Sequence, residues 1–382
     1  MTGSVLRLPA RSGGLVDWRP SGAPIVPRPG GFSSRVAYAA AHVVADPLAD
    51  HPYAIDLEAT LSFRRYLWSL GLGVAEAMDT AQRGTGVDWG AARTLIANTV
   101  AEAGTRHLAV CGVATDQLDE VQPAGLDRIV EAYREQLEFV EDIGGRAILM
   151  ASRALAAGAR AADDYLDVYG RVLAEATQPV MIHWLGEMFD PALAGYWGSA
   201  EPWEALDTLL ALLGAHADRI DGVKISLLDR DLEVALRRRV PEGVKVYTGD
   251  DFDFAELIVG DDQGHSHALL GIFDAIAPVA ATAFQALDAG EIDRYRAILA
   301  PATELSRHVF SAPTHHYKTG VVFLAYLNGH QRHFRMVAGA ESARSIGHLA
   351  QVLVLADAAG ALLDPEAAVA RMRSVLALAG IE

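Results

Sequence analysis

The sequence predicts an α/β fold, a (β/α)8 (TIM) barrel followed by a C-terminal helical extension. Three observations carry this. Eight short apolar runs alternate with longer amphipathic segments from about residue 36 to residue 278. The runs are apolar almost throughout, as strands buried on both faces are. Beyond residue 278 the pattern is helical only, and the alternating part has the length usual for such a barrel. An open doubly wound sheet is the competing architecture, but no G-x-G-x-x-G follows a strand here.

The expected strands are 36–45, 73–79, 106–113, 146–152, 179–185, 220–228, 244–250 and 267–273. Helical segments between them are expected at 57–71, 89–104, 126–144, 163–177, 203–217 and 231–240. Asp88 stands where an N-cap belongs, and Gly104 and Gly144 stand just past apolar-periodic stretches, where a helix ends on glycine. The extension reads as helices at 279–290, 292–299, 317–327, 342–359 and 366–378. The expected organisation is an irregular arm (1–35), a barrel (36–285) and a helical extension (286–382) that packs on the barrel and serves as a subunit contact.

Composition narrows the function. The chain has 382 residues, 51% hydrophobic, and a net charge of −17. Such a surface repels phosphate backbones, and no run dense in Lys or Arg offsets it, so a nucleic-acid partner is not expected. No apolar stretch reaches membrane-spanning length, and the first 35 residues, with Arg7, Arg11, Arg19 and Arg28, lack a signal-peptide core. The single cysteine, Cys111, allows no intrachain disulfide and fits a reducing, cytoplasmic location. Of the 32 basic residues only three are lysines: Lys224, Lys245 and Lys318. Where arginine serves for generic charge, a retained lysine is a candidate for amine chemistry that arginine cannot perform.

Catalytic groups of this fold sit at the C-terminal ends of strands. Those positions hold His42 and Asp46, Asp79 and Thr80, Asp116, Ser152 and Arg153, His183, Trp184 and Glu187, Lys224, Ser226 and Asp229, and Thr248, Gly249, Asp250 and Asp251; His265 and His267 stand near the eighth strand. Lys224 lies between Val223 and Ile225 in a buried run, where desolvation lowers an amine's pKa and leaves it a nucleophile toward a carbonyl. It could equally snorkel to the rim or pair with Asp221 or Asp250. His183 is a candidate general acid/base or a hydrogen-bonded core histidine. Arg153 could clamp an anionic group or pair with Asp163 or Asp164. Lys245 falls at the N-terminal end of its strand, the stability face of a barrel.

With the strand order laid out, the chain resembles the dihydrodipicolinate synthase / N-acetylneuraminate lyase superfamily of class I aldolases, as a divergent branch of unknown function. The resemblance runs over roughly 36–330. Asp221-Gly222-Val223-Lys224-Ile225-Ser226 resembles the family's G-[IV]-K-x-[ST], whose lysine forms a Schiff base. About 25 residues on, Val246-Tyr247-Thr248-Gly249-Asp250-Asp251 resembles its [ST]-G-[DN]-D. Ala289-Gly290-Glu291 resembles A-x-x-G-[DE], and Tyr317-Lys318-Thr319-Gly320 resembles Y-K-x-[AG]. Three motifs differ. Ala77-Met78-Asp79-Thr80 stands in place of G-T-T-G-E, which binds a 2-oxo acid carboxylate. His183-Trp184 stands in place of the Y-N-x-P tyrosine, and Ser152-Arg153 in place of a proline-tyrosine pair. The resemblance implies a retained mechanism on a different substrate.

The expectation is therefore a lyase or aldolase acting on a small carbonyl compound, a 2-oxo acid or a sugar derivative. Lys224 forms the imine, His183 moves protons, and Asp79, Thr80, Arg153, Thr248, Gly249, Asp250 and His265 bind substrate. No cofactor, metal or membrane is expected, and the assembly is a homodimer or homotetramer. Two other readings stand beside it. One is a metal-dependent sugar isomerase or aldolase with His183, Glu187, His265 and His267 as ligands. The other is a barrel that only binds a metabolite.

Overall fold

A computed structural model of the chain describes residues 5–10, 13–118 and 124–381. Residues 1–4 and 11–12 of the expected arm, Arg11 included, lie outside the described residues. The strands are β1 (Leu6–Pro9), β2 (Leu15–Trp18), β3 (Ala37–Ala40), β4 (Gly73–Glu76), β5 (Ala109–Val113), β6 (Ala147–Leu149), β7 (Val180–Leu185), β8 (Ile220–Ser226), β9 (Lys245–Thr248) and β10 (His267–Leu270). Strands β3 to β10 close into a parallel barrel, with β10 pairing both β9 and β3. Each of the eight lies inside the run predicted for it, so the fold is the (β/α)8 barrel the sequence predicts.

Two compact units make up the chain, and both are discontinuous in sequence. The barrel unit comprises Arg35–Ala41 and Gly73–Leu270. Its interior is filled by Tyr38, Ala40, Ala75, Met78, Val110, Ile148, Met150, Met181, Tyr247 and Leu269, drawn from all of its strands except β8 or from the residues that follow them. Its helices are punctuated as the sequence suggests. Asp88 caps Trp89–Ala103 by accepting from the Ala91 amide at 2.8 Å. Helix Phe254–Val259, between β9 and β10, is not legible in the sequence; it is one and a half turns long and too short for a periodic signal.

The other unit holds the residues up to Ser34, His42–Leu72 and the chain from Gly271 onward. The arm is not irregular throughout: β1 and β2 form an antiparallel hairpin that buries Leu6 and Leu8. It is held down by Asp357, whose Oδ2 accepts from the Ser21 and Gly22 amides at 2.8 and 3.1 Å. Helix Ile292–Val309 runs ten residues past its expected end, straight through Pro301. Proline in a helix interior costs about 3 kcal/mol. The buried stripe Tyr295, Leu299, Ala302, Leu305, Ser306 and Val309 continues across it at helical spacing and offsets that cost. Among the described residues no helix is long and apolar enough to cross a membrane.

Candidate active site

Strand β8 builds the site. Its side chains alternate between two faces. Gly222 pairs in register with Met181, and Lys224 with Tyr247, both interior residues, so Gly222, Lys224 and Ser226 face the barrel interior while Val223 and Ile225 face out. Lys224 is 7% exposed. Its amine has no hydrogen-bond or ion-pair partner among the described residues. Burial pushes its pKa down, against the opposing pull of the Asp79 and Asp251 carboxylates.

His183 on β7 is the register partner of Lys224 and is fully buried. Its Nε2 lies 3.2 Å from Ser226 Oγ, a bond that forms with either ring tautomer because a hydroxyl both donates and accepts. Its Nδ1 is buried with no partner. Burial, then the neighbouring Lys224, hold His183 well below the usual imidazole range. At neutral pH it is therefore an uncharged base. Gly249 completes the cluster. A Cβ there would sit 2.1 Å from Ser226 Oγ and 2.9 Å from Lys224 Cε, so only glycine leaves the amine room.

The other expected residues divide. Asp79 opens a short 3-10 turn, Asp79–Ala81, after β4, in Coulomb range of Lys224, with Thr80 buried in the same turn. Asp251, a strand-end residue given no role above, acts on Lys224 in the same way, and Ser226, likewise given none, meets His183. The signal for both was present, as the second aspartate of T-G-D-D and as the residue two past the lysine on the same face. Asp250 Oδ1 accepts from the Phe252 and Asp253 amides at 2.8 and 3.0 Å, shaping the turn after β9.

Three residues are not brought to the cluster in the expected way. Thr248 follows inward-facing Tyr247, so it faces out; its Oγ1 donates to Glu233 on helix Arg230–Arg237 at 2.9 Å. Arg153 pairs with Asp190 at 2.6 Å, and not with Asp163 or Asp164. His265 precedes β10, at the N-terminal end of the barrel, exposed and in Coulomb range of Arg35 and Arg237. A parallel strand beginning at residue 267 puts residue 265 at the end opposite Lys224 Nζ. The residues of the metal reading are likewise not brought together. His267 Nδ1 is taken by the Val36 amide at 3.0 Å, and among the described residues no group of three His, Cys, Asp or Glu is placed to hold a metal.

The remaining lysines have other surroundings. Lys245 donates to Asp221 Oδ1 at 2.6 Å, while Tyr247 donates to Asp221 Oδ2 at 2.8 Å and Arg146 approaches at 3.4 Å. This network closes the N-terminal end of the barrel. Lys318 lies in the other unit, in helix Tyr317–Leu327. That unit also holds His42, whose Nδ1 is 2.8 Å from Asp274 Oδ2.

Fold and site thus describe a (β/α)8 barrel with a buried, unpaired lysine on its sixth barrel strand. The chain belongs to the family described as protein of unknown function (DUF993), whose model matches residues 6–381. No curated protein matches it in sequence. Among solved structures it is similar to a dihydrodipicolinate synthase family protein from Coccidioides immitis, at 15% identity and a TM-score of 0.64, covering 89% of this chain and 98% of that one. Dihydrodipicolinate synthase from Aquifex aeolicus is 13% identical with a TM-score of 0.61, covering 91% and 98%. YagE, a prophage protein of the dihydrodipicolinic acid synthase family from E. coli K12 in complex with pyruvate, is 12% identical with a TM-score of 0.63, covering 91% and 99%. The chain thus shares the fold of those proteins.

Proposed function

We propose that this protein is a class I aldolase-type lyase in which Lys224 forms a Schiff base with a small polar carbonyl compound. The observation that carries the reading is the Lys224 amine itself: buried, unpaired, lowered in pKa, and on one face with His183 and Ser226. A lysine buried for structure alone would hold a partner, and even the partly exposed Lys245 holds one.

The neutral amine attacks the carbonyl carbon, forming a C–N bond as the C=O π bond breaks onto oxygen, and that oxygen takes one proton from the amine nitrogen and one from solvent. Loss of that oxygen as water gives the iminium. The iminium draws the electron pair of the adjacent C–C bond as that bond breaks, leaving an enamine. His183, uncharged at neutral pH, accepts the proton of the hydroxyl on the departing carbon, which leaves as an aldehyde. Protonation of the enamine carbon and hydrolysis release the second product and free the amine. Ser226 orients the imidazole through the 3.2 Å contact.

Reduction with borohydride during incubation with a panel of carbonyl compounds tests this. The expected result is a substrate-sized mass adduct that maps to Lys224 and is absent from Lys224→Ala. Adducts confined to Lys245 or Lys318 would overturn the assignment.

A further inference from the structure

We infer that the substrate of this site is an uncharged or cationic hydroxy-aldehyde or hydroxy-ketone and that the site rejects 2-oxo acids; the inference rests on the Lys224 imine reading. A 2-oxo acid carries its carboxylate on the carbon that becomes bonded to the lysine nitrogen. That anion would therefore come to rest within a few bonds of Nζ, and the groups around Nζ decide whether it is welcome.

The surroundings are acidic. Among the described residues Asp79 and Asp251, from the turns after β4 and β9, are the charges that act on the amine. Two arginines that follow strands β4 and β6 are engaged elsewhere. Arg83 is forked onto Asp116, with Nε and Nη2 at 2.5 and 2.7 Å from the two carboxylate oxygens, and its side chain is 2% exposed. Arg153 holds Asp190 at 2.6 Å. Each pair is neutral, so neither offers a net positive charge. Once the iminium forms, Asp79 and Asp251 already balance it, and an added carboxylate would be surplus charge in a poorly solvated place.

The polar atoms on the lysine's own face suit hydroxyl groups. His183 Nδ1 is buried without a partner, and Ser226 Oγ lies beside it. An imidazole nitrogen and a hydroxyl both exchange hydrogen bonds with neutral alcohols. Gly249, with no side chain, lets Ser226 and the lysine stem pack directly against its backbone. A substrate amine would gain from the two aspartates as well.

The test is the rate of reductive labelling at Lys224, followed by peptide mapping. Dihydroxyacetone, glyceraldehyde and glucosamine form one set, pyruvate and 2-oxobutanoate the other. Each rate is divided by that of a free lysine side chain, which removes intrinsic reactivity. The expected result is a preference of about ten-fold or more for the hydroxy-carbonyl set, reduced about ten-fold in Asp79→Asn. High salt, which needs no variant, is expected to narrow the preference as well. Equal or faster labelling of Lys224 by the 2-oxo acids would overturn the substrate class and leave the imine reading standing. Labelling of Lys224 by neither set would overturn both. A preference unmoved by Asp79→Asn, by Asp251→Asn and by salt would overturn the electrostatic cause.

Discussion

Lys224 and Lys245 sit on adjacent strands of one barrel, and their surroundings could hardly differ more. Lys245 opens β9, is partly exposed, and donates at 2.6 Å to Asp221, which also serves Tyr247 and Arg146. Burial works against ionisation of Asp221, yet these hydrogen bonds and charges outweigh it and keep the carboxyl below its usual range. Lys224 lies further along its strand, buried, with two carboxylates in Coulomb range but none in contact. One end of the barrel spends its charges on closure; the other keeps an amine and an imidazole uncommitted. Satisfied polar groups stabilise, and unsatisfied ones are retained at a cost where chemistry uses them.

The contrast can be broken most severely at Lys224 itself. Lys224→Ala is expected to abolish reductive trapping while the far-ultraviolet circular dichroism is unchanged. The corresponding change at Lys245 should leave trapping intact, and loss of trapping there would show that the two ends are not independent. Next in size is His183→Gln, expected to slow carbon–carbon cleavage about 100-fold while imine trapping at Lys224 persists, in the range of a lost general base, with release of the aldehyde product over time as the readout. A rate within two-fold of the native protein would reduce His183 to a packing residue.

A third effect sharpens the comparison by pH. Burial pushes Glu233 up to about 8, against the hydrogen bonds donated by Ser266 at 2.7 Å and Thr248 at 2.9 Å. A carboxyl whose pKa is raised on folding favours the protonated fold. Its contribution is full below the unfolded value and lost as pH rises toward 8. Tm should therefore fall between pH 5 and 8, by an amount equivalent to at most about 5 kcal/mol, and Glu233→Gln should flatten that slope in a thermal melt. The smallest effect is at the closed end. Asp221→Asn weakens a partly exposed pair and should cost only about 1 kcal/mol in a denaturant titration, without changing the rate of trapping.

Much of this was legible in the sequence. All eight barrel strands are readable because burial on both faces makes each an apolar run, and a lysine between Val223 and Ile225 stands out in such a run. Partner choice was not legible. Asp221 is three residues from Lys224 on its own strand, yet it serves Lys245 across the sheet, and Arg153 finds Asp190, 37 residues away. The outward turn of Thr248 depends on which parity of β9 faces the interior, which is set by register with β8 and not by β9 alone. The position of His265 was readable from strand direction, since it precedes its strand.

The chain's three lysines make the decisive measurement simple. Lysine labelled with carbon-13 at Cε gives three resonances, assigned by single substitutions and followed through a pH titration. The expected result is a Lys224 signal that titrates below the ordinary lysine range near 10.4 and shifts on addition of a hydroxy-ketone. A Lys224 signal that titrates within that ordinary range and ignores every carbonyl compound would contradict the account.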